Sequence, residues 1–188
     1  MIPAGDGLDI QFLGTGTSTG VPMIGFDCTV CTSPNPRNRR RRSCVVVRAG
    51  ELTLLIDTPP EFREQALEYE LRRVDALLFT HSHADHIFGL DDIRRFNTLQ
   101  HAVIPAYATP QTSREIQRIF DYIGADRNAT QGLYRPLIDF REVETPFEIG
   151  AVRVIGVCEC TSPSDSEIDQ FDNREFSELH EFIQNIKP

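Results

Sequence analysis

Leu77-Leu78-Phe79-Thr80-His81-Ser82-His83-Ala84-Asp85-His86 places three of the chain's five histidines and one aspartate within six positions, directly after an apolar segment. The run Ala76 to Thr80 reads as a short buried strand. In an extended chain, residues two apart point to the same side, so His81 and His83 are placed to bind one metal ion together. Where the strand ends and the chain turns, Asp85 and His86 can swing round to a second ion. Imidazole and carboxylate suit zinc, and also manganese or iron. Two neighbouring ions can acidify a shared water and clamp the oxygens of an ester undergoing displacement. The competing reading is a histidine-rich surface turn. The apolar strand leading straight into the cluster argues against it.

Working outward, Asp57 ends the apolar run Leu52 to Ile56 in the same way. It can orient a metal-bound histidine from behind, or it can cap a helix ahead of Pro59. Upstream, Asp9 to Leu13 reads as a first strand ending in Gly14-Thr-Gly-Thr-Ser-Thr-Gly20. That spacing is neither a P-loop nor a dinucleotide fingerprint, and it reads as a tight turn beside the site. Cys44 to Arg48 pairs in expectation with Leu52 to Ile56 around Gly50. Pro59 and Pro60 suit the start of a helix continuing over Glu61 to Leu71. Thr109-Pro110 reads as an N-cap and first helical position, followed by an apolar stripe at Ile116, Ile119, Phe120 and Ile123. Val143 to Val157 holds strand-like segments broken by Pro146 and Gly150, and Asn173 to Ile186 has helical spacing. Strands come first and helices interleave later, which predicts an α/β layered fold over a single domain spanning 1–188.

The 188 residues carry a net charge of −9, which disfavours a large basic nucleic-acid face and leaves RNA the less favoured partner. Arg37 and Arg39 to Arg42 nevertheless put five arginines in six positions. They form either a solvated loop or a cationic rim that attracts phosphate. No apolar run approaches the roughly 20 residues that span a bilayer, so no membrane partner is expected. Met1 to Gly7 lacks the pattern of a signal peptide, which predicts a cytoplasmic protein. With five cysteines and no secretion signal, a disulfide framework is not expected. Cys28 and Cys31 form a C-x-x-C, Cys158 and Cys160 a C-x-C, and either pair could bind metal.

His81-x-His83-x-Asp85-His86 resembles the signature of the metallo-β-lactamase superfamily. Phe12-Leu-Gly-Thr-Gly-Thr-Ser-Thr-Gly-Val-Pro, Cys28-x-x-Cys31-Thr-Ser-Pro and Asn35-Pro-Arg-Asn-Arg-Arg resemble its cyclic phosphodiesterase branch, linked to carbon–phosphorus lyase. The tRNA-processing endonucleases of this fold share the opening Phe-Leu-Gly-Thr-Gly, and Leu55-Ile-Asp57-Thr matches the family's strand-end aspartate. The resemblance implies a four-layer αββα sandwich with two divalent metal ions, zinc or manganese, between its sheets. Its structural zinc usually takes a further cysteine two positions before Cys28. Here Phe26 stands there, so zinc at Cys28 and Cys31 is expected to be weak or absent. The family's three later ligands are a histidine, a bridging aspartate and a final histidine. In their region this chain reads Cys158-Glu159-Cys160, Asp165 and Glu175-Phe-Ser177. Asp165 is the candidate for the bridge, and the second half from about residue 158 is expected to be shortened or diverged.

These readings predict a metal-dependent phosphodiesterase in which a metal-bridging hydroxide attacks phosphorus. Asp85 and Asp57 are its expected catalytic carboxylates. His81, His83, Asp85, His86 and Asp165 are its expected ligands, and a small phosphate ester is its substrate. A catalytically impaired remnant that binds metal or a partner is one alternative, and a thioester or β-lactam hydrolase another. A segment missing between Val157 and Phe176 would expose apolar surface and favour a homodimer.

Overall fold

Apolar runs without polar alternation form strands covered on both faces, and three of them stand side by side here. β2 (Cys44–Ala49), β3 (Leu52–Ile56) and β4 (Ala76–Leu78) occupy the middle of a six-stranded sheet. The computed structural model describes residues 7–123, 135–144, 146–150, 152–156 and 186–187. The sheet opens with β1 (Leu8–Gly14) and closes with β5 (Ile104–Ala108) and β6 (Ile138–Glu142), in the order β1-β2-β3-β4-β5-β6. β1 to β3 pair antiparallel, and β3 to β6 run parallel. Ile56 is in register with Leu78, so the carboxyl ends of β3 and β4 emerge together. In open parallel sheets, that edge is where ligands bind.

The two faces of the sheet have separate cores. Val46, Leu55, Leu77 and Ala106 face α1 (Phe62–Glu68), α3 (Arg94–Gln100) and α4 (Pro110–Ile119) through Phe62, Phe96 and Ile116. Val45, Val47, Leu54, Ile56 and Leu78 face the second sheet, built from β7 (Phe147–Ile149), β8 (Val152–Val154) and β9 (Ile186–Lys187), through Ile149, Val152 and Val154. The result is helix, sheet and sheet, three layers of the expected four-layer αββα sandwich. No helix lies against the outer face of the second sheet among the described residues.

Local chemistry accounts for the element ends. Gly50 and Gly150 take φ of 55° and 60° at the β2–β3 and β7–β8 turns, a left-handed backbone that glycine adopts without penalty. The Thr109 hydroxyl caps α4 by accepting from Thr112 N. The helix expected over Glu61 to Leu71 stops at Glu68, and Glu70 turns left-handed with φ 51°. Ile186 lies in β9, where it pairs with Val154, and so does not end a helix; the rest of the expected Asn173 to Ile186 helix lies outside the described residues.

α2 (Ala84–Ile87) joins the sheet's edge through Gly89. Gly89 N donates to Thr58 O at 2.8 Å, and a side chain there would meet Phe62 Cβ at 2.7 Å and the Pro59 carbonyl. Gly89→Ala is therefore expected to destabilise the fold by about 1–3 kcal/mol through overpacking. Chemical denaturation checks this, with Gly156→Ala, in open space, as the comparison.

Candidate functional site

The site begins with a backbone irregularity. At the end of β3, Asp57 turns left-handed with φ 59°, and its N–H donates to Leu78 O at 2.9 Å. This conformation is costly for a residue with a Cβ. It turns the carboxylate across the end of β4, where it is 3% exposed. There Oδ1 accepts from Thr80 N at 2.9 Å, and Oδ2 accepts from the Thr80 hydroxyl at 2.7 Å. Oδ2 also lies 2.8 Å from His86 Nδ1. Asp57 caps no helix: the residue at the start of α1 is Glu61, and no side chain bonds that end.

β4 ends at Leu78, two residues short of the expected Ala76 to Thr80, and His81 and His83 lie on the loop that follows. His83 precedes α2, and Asp85 and His86 lie within that helix rather than in an open turn. The helix is fixed from both sides. His86 N donates to His83 O at 2.9 Å, and Thr58 N donates to His86 O at 2.7 Å. The His81 ring centroid lies 4.6 Å from that of His83 and 3.9 Å from that of His86. His86 Nε2 faces Asp85 Oδ2 at 3.3 Å.

Electrostatics divide the imidazoles. Burial, with His86 nearby, pushes the His81 pKa down to about 4, so this ring is neutral at pH 7. Burial also opposes charge on His86, but the Asp57 and Asp85 carboxylates together outweigh it and lift the ring to about 10. Burial would raise Asp85, yet its contact with His86 holds it below the ordinary range. The donor set fits a divalent cation. Three imidazoles and a carboxylate gather at one strand end, and His86 Nδ1 is held by Asp57 as metal-bound histidines are held by a carboxylate behind them. Among the described residues, no three of these donors are arranged around a common point, and Asp85 Oδ2 lies against His86 Nε2.

Thr80 and Glu115 were not singled out from the sequence. Thr80 Oγ1 lies 3.0 Å from His81 Nδ1 and so couples that ring to Asp57. Ser82 donates to Glu115 of α4. A polar residue ending a buried apolar run was the available signal for Thr80; Glu115 had none, because only tertiary packing brings α4 here. Cys28 and Cys31 lie apart from the cluster in a knuckle-like turn, with Cys31 N donating to Cys28 Sγ at 3.3 Å and Thr32 N to Cys28 O at 3.0 Å. Both are free thiols, as is Cys44. Asp165, Cys158, Glu159, Cys160 and Glu175 lie outside the described residues. His101 is exposed at the end of α3.

A sheet-end histidine cluster in this layered arrangement defines a metallo-β-lactamase fold. The profile of the beta-lactamase superfamily domain matches residues 53–168, and the chain belongs to that superfamily. The crystal structure of a new diphosphatase from the PhnP family is similar at TM-score 0.69 and 37% identity, over 79% of this chain and 56% of that one. Zn(2+)-bound PqqB from Methylobacterium extorquens shares the fold at TM-score 0.59 and 21% identity, over 78% of this chain and 50% of that one. The octanoyltransferase of Porphyromonas gingivalis (strain ATCC BAA-308 / W83) is 37% identical over 145 residues, which are 76% of this chain and 28% of that protein. The chain thus spans between 28% and 56% of the length of these three relatives.

Two outcomes are expected. Asp57→Ala should weaken zinc binding about 10–100-fold, as loss of a carboxylate behind a ligand histidine does; a chelator-competition titration measures it. Alkylation mapped by mass spectrometry should label Cys28 before Cys31. The Cys31 amide lowers the Cys28 thiol, whereas at Cys31 the Met23 amide's lowering effect is outweighed by Cys28 and burial. Cys44, buried and raised, should react only on unfolding.

Proposed function

We propose that the chain is a metal-dependent hydrolase that cleaves a phosphorus–oxygen bond in a phosphodiester or diphosphate. The observation that carries this reading is the buried Asp57 carboxylate 2.8 Å from His86 Nδ1, which leaves Nε2 facing Asp85 among the imidazoles. His81, His83, Asp85 and His86 would hold two divalent ions, zinc or manganese, and Asp165 is proposed as the bridging carboxylate. Such ions lower the pKa of water and offset charge gathering on phosphate oxygens. The chain's own residues prepare the site. His81, with its pKa near 4, offers a lone pair at neutral pH, and Thr80 fixes the ring at Nδ1. Asp57 fixes the tautomer and angle of His86.

The choice of phosphorus follows the 37% identity to a diphosphatase of the PhnP family. The acyl transfer in the octanoyltransferase name is not carried over, since most of that protein lies outside the match. We further propose a small phosphate ester as substrate.

Turnover of bis(p-nitrophenyl) phosphate and of a nucleoside diphosphate tests the reading. Activity should disappear on chelation and return with zinc or manganese. Asp85→Ala should remove most of it while changing folding stability by about 1 kcal/mol or less, since Asp85 is not a core residue. Metal-independent turnover, or full activity in Asp85→Ala, refutes it. A metal-loaded chain that hydrolyses neither substrate would favour an impaired binding remnant.

A further inference from the structure

We propose that the arginine run and the glycine turn build a second binding site, for a nucleoside phosphate, separate from the histidine cluster. The cavity there holds about 840 Å³ and is lined by Arg37, Arg39 and Arg40 together with Phe12 and Tyr69; none of the clustered histidines lines it. The volume exceeds what one phosphate fills and matches a small-molecule site.

The backbone carrying these arginines is fixed rather than a free loop. Arg40 and Val21 exchange backbone hydrogen bonds of 2.8 and 2.9 Å, and Gly16 N donates to Arg41 O at 2.7 Å. The Asn35 side chain accepts from Arg37 N at 3.0 Å. The close approach needs glycine, because a Cβ at Gly16 would lie 2.7 Å from Arg40 O. Gly16 therefore lets the glycine turn pack directly against the arginine run.

Charge at the cavity is unbalanced. Its two lining carboxylates are already engaged, Glu68 by Arg41 and Glu61 by Arg42. Arg37, Arg39 and Arg40 are exposed, and their guanidinium groups have no ion-pair or hydrogen-bond partner among the described residues. In a chain of net charge −9, three unpaired guanidinium groups around one concavity select an anion. Their forked donors suit phosphate oxygens. Phe12 and Tyr69 keep 41% and 36% of their surface exposed at the same cavity, ring faces on which a base can stack. Phosphate and an aromatic ring together are the chemistry of a nucleotide, free or at the end of an RNA strand.

Isothermal titration of the full chain with the non-hydrolysable α,β-methylene ADP tests the site, alongside adenosine, methylenediphosphonate and a six-nucleotide RNA. Saturable binding of the ADP analogue is expected, weakening as salt rises. Each of Arg39→Gln and Arg40→Gln should weaken it about tenfold, the scale of one charge-assisted contact. Tyr69→Leu should weaken it by a similar factor, and His81→Ala should leave this arginine-dependent binding in place. Thermal melts confirm that the variants fold. Tighter binding of RNA than of the analogue assigns the nucleotide to a strand, and the reverse assigns it to a free ligand. No saturable binding, binding insensitive to both arginine variants, or loss of the arginine-dependent binding in His81→Ala overturns the proposal. So does diphosphonate binding as tightly as the analogue.

Discussion

The buried carboxylate of Asp57 is the constraint on which the rest of the site depends. It ends β3, turns the chain at a positive φ, and accepts from the backbone and hydroxyl of Thr80 while holding His86. A left-handed non-glycine residue costs on the order of 1–2 kcal/mol. Hydrogen bonds to a charged group contribute about 1.5–3 kcal/mol each and offset that cost. One side chain thereby ties the end of β3, the loop after β4 and the helix α2 together. The histidines gather because three chain segments meet at this carboxylate.

The same packing gives chemically identical rings opposite characters. His81 is partly buried with no carboxylate hydrogen bond of its own, whereas His86 sits between Asp57 and Asp85. A short reach of chain thus holds one imidazole that burial keeps neutral and one that its carboxylate neighbours keep protonated. α1 performs a parallel task on the far side of Pro59. Its carboxylates Glu64 and Glu68 hold Arg41, and Glu61 just before it holds Arg42, which divides the arginine run into paired and unpaired members.

Much of this was legible in the sequence. The apolar runs Leu52 to Ile56 and Ala76 to Thr80 announced buried strands, and the polar residues at their ends announced a site, because a functional group placed at a sheet end interrupts hydrophobic patterning. β5 and β6 were not legible. Pro105 stands inside β5, where a missing N–H normally argues against a paired strand. In β6 the apolar signal reduces to Ile138 and Phe140 among Asp139, Arg141 and Glu142. The double role of Asp57 stayed open in the sequence because choosing between cap and hydrogen-bond acceptor requires the position of His86, 29 residues away. The arginine run had the same difficulty. Its spacing could not show that Glu61 and Glu68 would neutralise only Arg42 and Arg41.

β9 pairs antiparallel with β8, and Ile186 lies opposite Val154. The chain therefore leaves the second sheet and returns to it at neighbouring strands. The two ends of the segment between those strands are therefore held side by side by the sheet. Closing a flexible loop between such ends costs only about 0.6 kcal/mol more per doubling of its length, because closure entropy grows with the logarithm of length. The six-stranded sheet and Asp57 lie outside that segment. The geometry of Asp57, Thr80 and His86 is thus set by β3, β4 and α2, whatever the length of chain between β8 and β9.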